Sequence, residues 1–220
     1  MVVLVGLPGA ALAGTPGDRV TCRGEPAVLL DQDYWSGTDW RDVVVAIAGT
    51  TSTVNPQGGN DLVCVYPAPG DPYHGLTVNA GSGDDTVVTY GGSNTIYGEG
   101  GDDIVYLNGI QEHVEGGPGQ DHVWGLGADG VWLYGDPGVD VLQGSPAADH
   151  LSGGDDGDLL IGAGGDDAIL GEGGDDTLLG GTGTDDLDGG AGPDTCSDGT
   201  GTTFAGCELV TGPPPLGYSP

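Results

Sequence analysis

The residues of clearest chemical potential in this chain are aspartates at fixed spacing. Asp85, Asp103, Asp121, Asp140, Asp158, Asp176 and Asp194 form one series, in steps of 18 or 19 residues. Asp149, Asp167 and Asp185 form a second, in steps of 18. Carboxylates set in line repel one another unless something neutralises them. The chain has few cations of its own to do so: 3 Lys+Arg stand against 34 Asp+Glu, a formal net charge of −31. The basic residues are Arg19, Arg23 and Arg41, and nothing beyond residue 41 can serve as a cationic anchor. Abundant hard oxygen ligands suit divalent cations, Ca²⁺ best among them. The same imbalance argues against nucleic acid as a partner, since a phosphate backbone needs a basic patch. It also argues against adhesion to an anionic membrane surface.

No catalytic constellation accompanies the aspartates. A zinc-protease HExxH would need a His-Glu pair, which the sequence lacks, and neither a GxSxG elbow nor a phosphate-binding loop occurs. Paired acids such as Asp84-Asp85 and Asp175-Asp176 have the residue types of a glycosidase, but a repeat explains them better. His113, His122 and His150 fall at equivalent repeat positions that face outward. The expectation is a protein that is not an enzyme.

A nine-residue period positions the aspartates. Its clearest units are GGPGQDHVW at 116–124, GEGGDDTLL at 171–179 and GGTGTDDLD at 180–188, with the general form G-G-x-G-x-D-x-U-x, U being a large aliphatic residue. Units start at 80, 89, 98, 107 and 116; a ten-residue unit at 125 resets the frame, which resumes at 135, 144, 153, 162, 171, 180 and 189. With Gly 48 and Pro 15, an aperiodic chain would read as disordered and a periodic one reads as a repeat fold. Positions one to six are turn-formers, with Gly supplying positive φ at little steric cost. Positions seven to nine make a short strand with its middle side chain on one face, as in Val105, Val123, Leu142, Leu160, Ile169, Leu178 and Leu187. One unit reverses the chain and two complete a coil, so residues one coil apart stack at the strand spacing of about 4.8 Å. The predicted fold is all-β: a right-handed parallel β-roll of two thin sheets, a narrow aliphatic core and a loop column along each edge. The two aspartate series line opposite edges.

This pattern resembles the RTX, or hemolysin-type, calcium-binding nonapeptide-repeat family, firmly over 80–197 and weakly over 37–79. The resemblance implies an RTX-type solenoid in which position-six carboxylates and main-chain carbonyls of adjacent loops hold several Ca²⁺ ions. The implied metal ligands are Asp85, Asp103, Asp121, Asp140, Asp149, Asp158, Asp167, Asp176, Asp185 and Asp194. The second column departs from the family pattern towards the N-terminus, with Asn94, Glu112 and Val131 at position six. Ala147 and Asp156 also stand at position four, where Gly is expected. Replacing Asn94 in so poor a column is expected to matter little.

Domain organisation follows from the same reading. Residues 1–13 are apolar, end in Ala11-Leu12-Ala13, and read as the apolar and cleavage parts of a secretory signal peptide, without a basic stretch before them. The run is too short to span a membrane, and no other segment could insert into one. Residues 14–36 are expected to form an N-terminal cap. Residues 37–79 read as degenerate coils, in which GTDWRDVVV at 37–45 and PQGGNDLVC at 56–64 keep Asp42 and Asp61 at position six. Residues 80–197 are the calcium-binding roll, and 198–220 a C-terminal cap and Pro-rich tail. The even set Cys22, Cys64, Cys196 and Cys207 in an exported chain favours disulfides, with three connectivities open. The most local pairs Cys22 with Cys64, tying down the cap, and Cys196 with Cys207. A Cys near the mature start, with Asp194-Thr195-Cys196 and Gly206-Cys207-Glu208 near the end, resembles secreted actinobacterial RTX-like proteins.

The functional expectation is a secreted, extracellular, non-catalytic protein that binds Ca²⁺ and folds on it. The alternatives are an adhesin or cell-surface interaction module and an accessory protein of an extracellular hydrolase. One outer sheet face, from Tyr106 through Trp124 to Ile161, is unusually apolar and makes cell wall, glycan or a second copy the candidate partners. A cap tied at Cys64 is expected to cover one end of that face and leave this stretch open.

Overall fold

Each position-six aspartate is followed by a short strand with an apolar middle residue, and the Gly-rich loop between strands reverses the chain. In the computed structural model this produces strands that alternate strictly between an 11-stranded and a 10-stranded sheet, so that neighbours within a sheet are always two strands apart in sequence. The residues described are 21–30, 33–49, 52–127, 129–197 and 203–211. The expected signal peptide, the first part of the expected cap and most of the Pro-rich tail lie outside them. All pairings within the two large sheets are parallel, and among the described residues there is no helix. The fold is the expected all-β, parallel β-roll.

The core is one column of side chains from each sheet, contributed by the middle residue of each strand. Val87, Val105, Val123, Leu142, Leu160, Leu178 and Cys196 stack in the larger sheet. Val78, Ile96, Val114, Leu133, Leu151, Ile169 and Leu187 stack opposite them. Every one is at most 2 % exposed, and together they form one continuous cluster. Sliding a strand by one residue would turn its core side chain to water, so the inward column fixes register. Insertions are absorbed in the loops: Val123 still pairs with Leu142 across the ten-residue unit. Val63 likewise pairs with Val87 across the Pro-containing loop between them.

Both ends of the roll extend further than expected. Val28–Leu29 and Tyr34–Thr38 already pair with Val43–Ile47 and Thr53–Gln57, so these two strands belong to the coils and not to the cap. Thr203–Ala205 and Cys207–Thr211 add a final strand to each sheet, so that part of 198–220 is also coil. These segments lack the nine-residue signature because they keep only its apolar middle residue, at Val28, Trp35 and Phe204.

The described part of the cap is a hairpin, Thr21–Cys22 against Glu25–Pro26, turned by Arg23 (φ 48°) and Gly24 (φ 88°). Two successive positive φ values match the twist of a two-residue hairpin. The hairpin lies on the outer face of the larger sheet, where Cys22 and Ala27 pack with Val45, Leu62, Cys64 and Val88. Disulfides join Cys22 to Cys64 and Cys196 to Cys207, with Cα atoms 5.6 and 5.8 Å apart. Arg23 sits 5.0 Å from the Tyr106 ring centroid, so cover on this face reaches one coil beyond expectation and Tyr106 is partly covered. Trp124, stacked on Tyr106 at 4.9 Å, is the next side chain along this face and is half-buried.

The Cys22–Cys64 bond closes a span of 42 residues. A loop of that size gives a chain-entropy stabilisation of about 2–4 kcal/mol. Replacing both cysteines by Ala should therefore lower the thermal midpoint in the presence of Ca²⁺ by several degrees, read by calorimetry. An unchanged midpoint would show that the hairpin does not hold the first coils.

Candidate metal centre

The position-six aspartates do two jobs with two oxygens. On the first edge, Oδ1 of each carboxylate accepts the main-chain N–H of the position-six residue one coil upstream. The ladder runs from Asp42 N–H to Asp61 (2.6 Å) and from Asp61 to Asp85 (2.7 Å). It continues from Asp85 to Asp103, Asp103 to Asp121, Asp121 to Asp140, Asp140 to Asp158, Asp158 to Asp176 and Asp176 to Asp194, at 2.7–2.9 Å. The loop thereby satisfies a buried amide that its own coil leaves open. Asp42 ends the ladder, its Oδ2 taking the Thr38 N–H instead.

The other oxygen is left over. Oδ2 of Asp61, Asp85, Asp103, Asp121, Asp140, Asp158 and Asp176 on this edge, and of Asp167 on the other, is buried and accepts no hydrogen bond. Burying such an oxygen without compensation is expensive. Burial accordingly pushes the carboxyls up: Asp103 to about 8, Asp85, Asp121, Asp158 and Asp167 to about 7, and Asp140 to about 6. The main-chain hydrogen bond opposes the shift, and neighbouring carboxylates reinforce it. Asp61 and Asp176 are raised for the same reason, burial first.

The glycines at position one show where these oxygens point. A Cβ on Gly135 would lie 2.3 Å from Asp140 Oδ2 and 2.6 Å from the carbonyl oxygen of Gly153, one coil on. On Gly116 it would lie 2.4 Å from Asp121 Oδ2 and 2.9 Å from the Gly135 carbonyl. In these units position one is glycine because a carboxylate oxygen and a carbonyl oxygen of the next coil already crowd the space a side chain would need. Among the described residues no three His, Cys, Asp or Glu side chains converge on one point. The available donor set is instead one or two carboxylates with main-chain carbonyls, all hard oxygens, which fits Ca²⁺ better than a softer metal.

The second edge is mixed. Asp149 accepts from Val131 N–H (2.7 Å), Asp167 from Asp149 N–H and Asp185 from Asp167 N–H (both 2.9 Å). At Asp149 both oxygens are engaged, Oδ2 by Ser145 N–H and Oδ1 also by the Ser145 hydroxyl. Further towards the N-terminus Asn94 keeps the ladder, its Oδ1 accepting Leu76 N–H at 3.1 Å. Asp194 closes the first edge, as its spacing predicts. Asp61 is the residue the spacing conceals: 24 residues separate it from Asp85, although its position-six setting in PQGGNDLVC was visible. The paired acids find a structural role, since Asp84 Oδ1 accepts Asp102 N–H and Asp102 Oδ1 accepts Gln120 N–H in the outer loops.

A family profile described as the RTX calcium-binding nonapeptide repeat (4 copies) matches residues 79–109, 134–169 and 161–196. No curated protein and no solved structure gave a match. The matched segments include most of the carboxylate ladder, and over them the chain carries the RTX calcium-binding nonapeptide repeat.

Proposed function

We propose that the chain is a secreted, non-catalytic protein whose position-six aspartates hold Ca²⁺ between successive coils, and that calcium completes its fold. On the first edge the ligands are Asp61, Asp85, Asp103, Asp121, Asp140, Asp158, Asp176 and Asp194. On the second they are Asp149, Asp167 and Asp185, with Asp149 the weakest because Ser145 competes for it. The observation that carries the reading is the line of buried Oδ2 atoms without hydrogen-bond donors; those of Asp103, Asp121, Asp140, Asp158, Asp167 and Asp176 share the space beside a position-one glycine with a carbonyl of the next coil. A bound cation would supply the positive charge those oxygens lack. The protein contributes the rest: Oδ1 fixes the loop through the upstream amide, and glycine leaves room for the oxygens to face one another. Export is supported by the two disulfides, which persist in oxidising compartments.

Two substitutions at Asp158 separate the jobs of its oxygens. Asp158→Asn keeps an acceptor for Asp140 N–H but removes the charge. It should bind at least one Ca²⁺ fewer at saturation by isothermal titration, and be no less stable than the parent in EGTA. Asp158→Ala also orphans the buried Asp140 amide, which costs about 1–3 kcal/mol with or without calcium. An Asp158→Asn protein with the parent's full calcium stoichiometry would refute the ligand assignment.

A further inference from the structure

The two halves of the roll close their second edge by different chemistry. In the N-terminal half, position six carries Asn94 and Glu112, both buried. Glu112 Oε1 accepts from Asn94 Nδ2 at 2.7 Å, and Oε2 accepts from the Thr89 hydroxyl at 3.1 Å and from Gly109 N–H at 2.8 Å. Thr89 Oγ1 in turn accepts Asn108 N–H at 2.9 Å, and Asn94 Nδ2 also reaches the Gly91 carbonyl at 3.0 Å. Donors take up the carboxylate oxygens that a cation would need. What reads in the sequence as decay of a metal column is a closed hydrogen-bond network standing in its place.

The same half concentrates the other supports that need no metal. The Cys22–Cys64 bond pins the hairpin across the outer face. Arg41 pairs with Glu25 of the hairpin at 2.9 Å. The strands Val43–Ile47 and Leu62–Tyr66 are buried almost throughout, because the hairpin covers one face and the core the other. In the C-terminal half only the middle residue of Leu159–Gly164 and Thr177–Thr182 is buried among positions seven to nine. There Asp140, Asp158, Asp167 and Asp176 leave buried oxygens without donors, and the disulfide Cys196–Cys207 closes a span of only 11 residues.

We propose that the coils from Val28 to Glu115 hold their fold without calcium and form the platform on which the coils from Val141 to Ser197 order when calcium binds. The proposal rests on the reading of the aspartate ladders as calcium sites. Asp61, Asp85 and Asp103 still lack a cation on the platform's first edge in calcium-free protein, so that edge is looser, while the second edge, the hairpin and the disulfide keep the coils together.

Hydrogen exchange of the full chain, followed by mass spectrometry in EGTA and in Ca²⁺, tests this strand by strand. In EGTA the amides of Thr77–Ser82 and Thr95–Gly100 should exchange at least about 100-fold more slowly than those of Leu159–Gly164 and Thr177–Thr182, and Ca²⁺ should slow the latter by a similar factor. Loss of protection in all strands together in EGTA overturns the platform while leaving calcium binding intact. Exchange unchanged by calcium everywhere overturns both readings. Glu112→Ala and Asn94→Ala should each cost at least about tenfold of the EGTA protection at Thr95–Gly100 without changing the number of ions bound. Unaltered protection in both variants would also refute the role given to this network.

Discussion

Calcium removal is expected to melt the C-terminal coils and to abolish a large part of the β-sheet circular dichroism signal. The core between the sheets is one side chain deep from each strand, and the chain carries a net charge of −31. So thin a core cannot offset both the ordering entropy of the loops and the self-repulsion of the carboxylates. Each ion adds two positive charges and fixes two loops, so its binding free energy becomes folding free energy. Sites of the extracellular type bind with Kd of about 10⁻⁴–10⁻³ M. At 10 to 100 times Kd, each then contributes about 1.4–2.7 kcal/mol, so a handful of sites reaches the stability of a whole domain, about 5–15 kcal/mol. Chelation with EGTA at low salt should therefore lower the thermal midpoint by tens of degrees or remove the transition of residues 141–197. Readdition of Ca²⁺ should restore it. Mg²⁺ should restore little, because it demands tight octahedral geometry and keeps its waters. A calorimetric transition unchanged by EGTA would refute calcium-coupled folding.

The nine-residue period carried most of this architecture in plain sight. Gly at positions one and four, Asp at six and an aliphatic at eight specify a loop, a ladder rung and a core side chain, and the structure places Asp121, Val123 and Gly135 in those roles. Where period and structure part, the reason is that hydrogen bonding rather than spacing decides. Asn94 and Glu112 break the repeat, yet Thr89 and Gly109 lie where they can satisfy Glu112, and no linear pattern announces that meeting. The expectation that Asn94 is dispensable reverses on these grounds. Asp149 fits the repeat, but Ser145, four residues before it, engages it locally. The terminal coils at Val28–Leu29 and Thr203–Ala205 keep only strand pairing, which short apolar runs do not reveal in sequence. That Tyr106 is partly covered depends on Arg23 extending over its ring, a reach that no linear pattern discloses.

In calcium-free protein, acidification should do part of what calcium does. Burial raises the folded-state pKa of Asp103 to about 8, of Asp85, Asp121, Asp158 and Asp167 to about 7, and of Asp140 to about 6. In the unfolded chain the same carboxyls titrate near 3.9. Between those limits the folded state binds more protons than the unfolded one, so stability falls as pH rises from about 4 to about 8, and the dependence vanishes below the unfolded value. Lowering the pH of the EGTA-treated protein from 8 to 5 should thus increase its β-sheet circular dichroism and its resistance to proteolysis. With calcium bound the direction reverses, since protons and cations compete for the same oxygens. Binding at pH 7 should release protons, seen as a dependence of the titration enthalpy on the buffer, and affinity should fall towards pH 5. Asp103→Asn imitates a permanently protonated carboxyl at the rung where burial acts most strongly. It should make the calcium-free protein more stable at pH 8 and flatten its pH dependence, while weakening calcium binding. A calcium-free protein whose structure is lost on going from pH 8 to pH 5 would show that the buried oxygens are not what holds the roll open, and the assignment of the ladder as its cation-demanding element would fail with it.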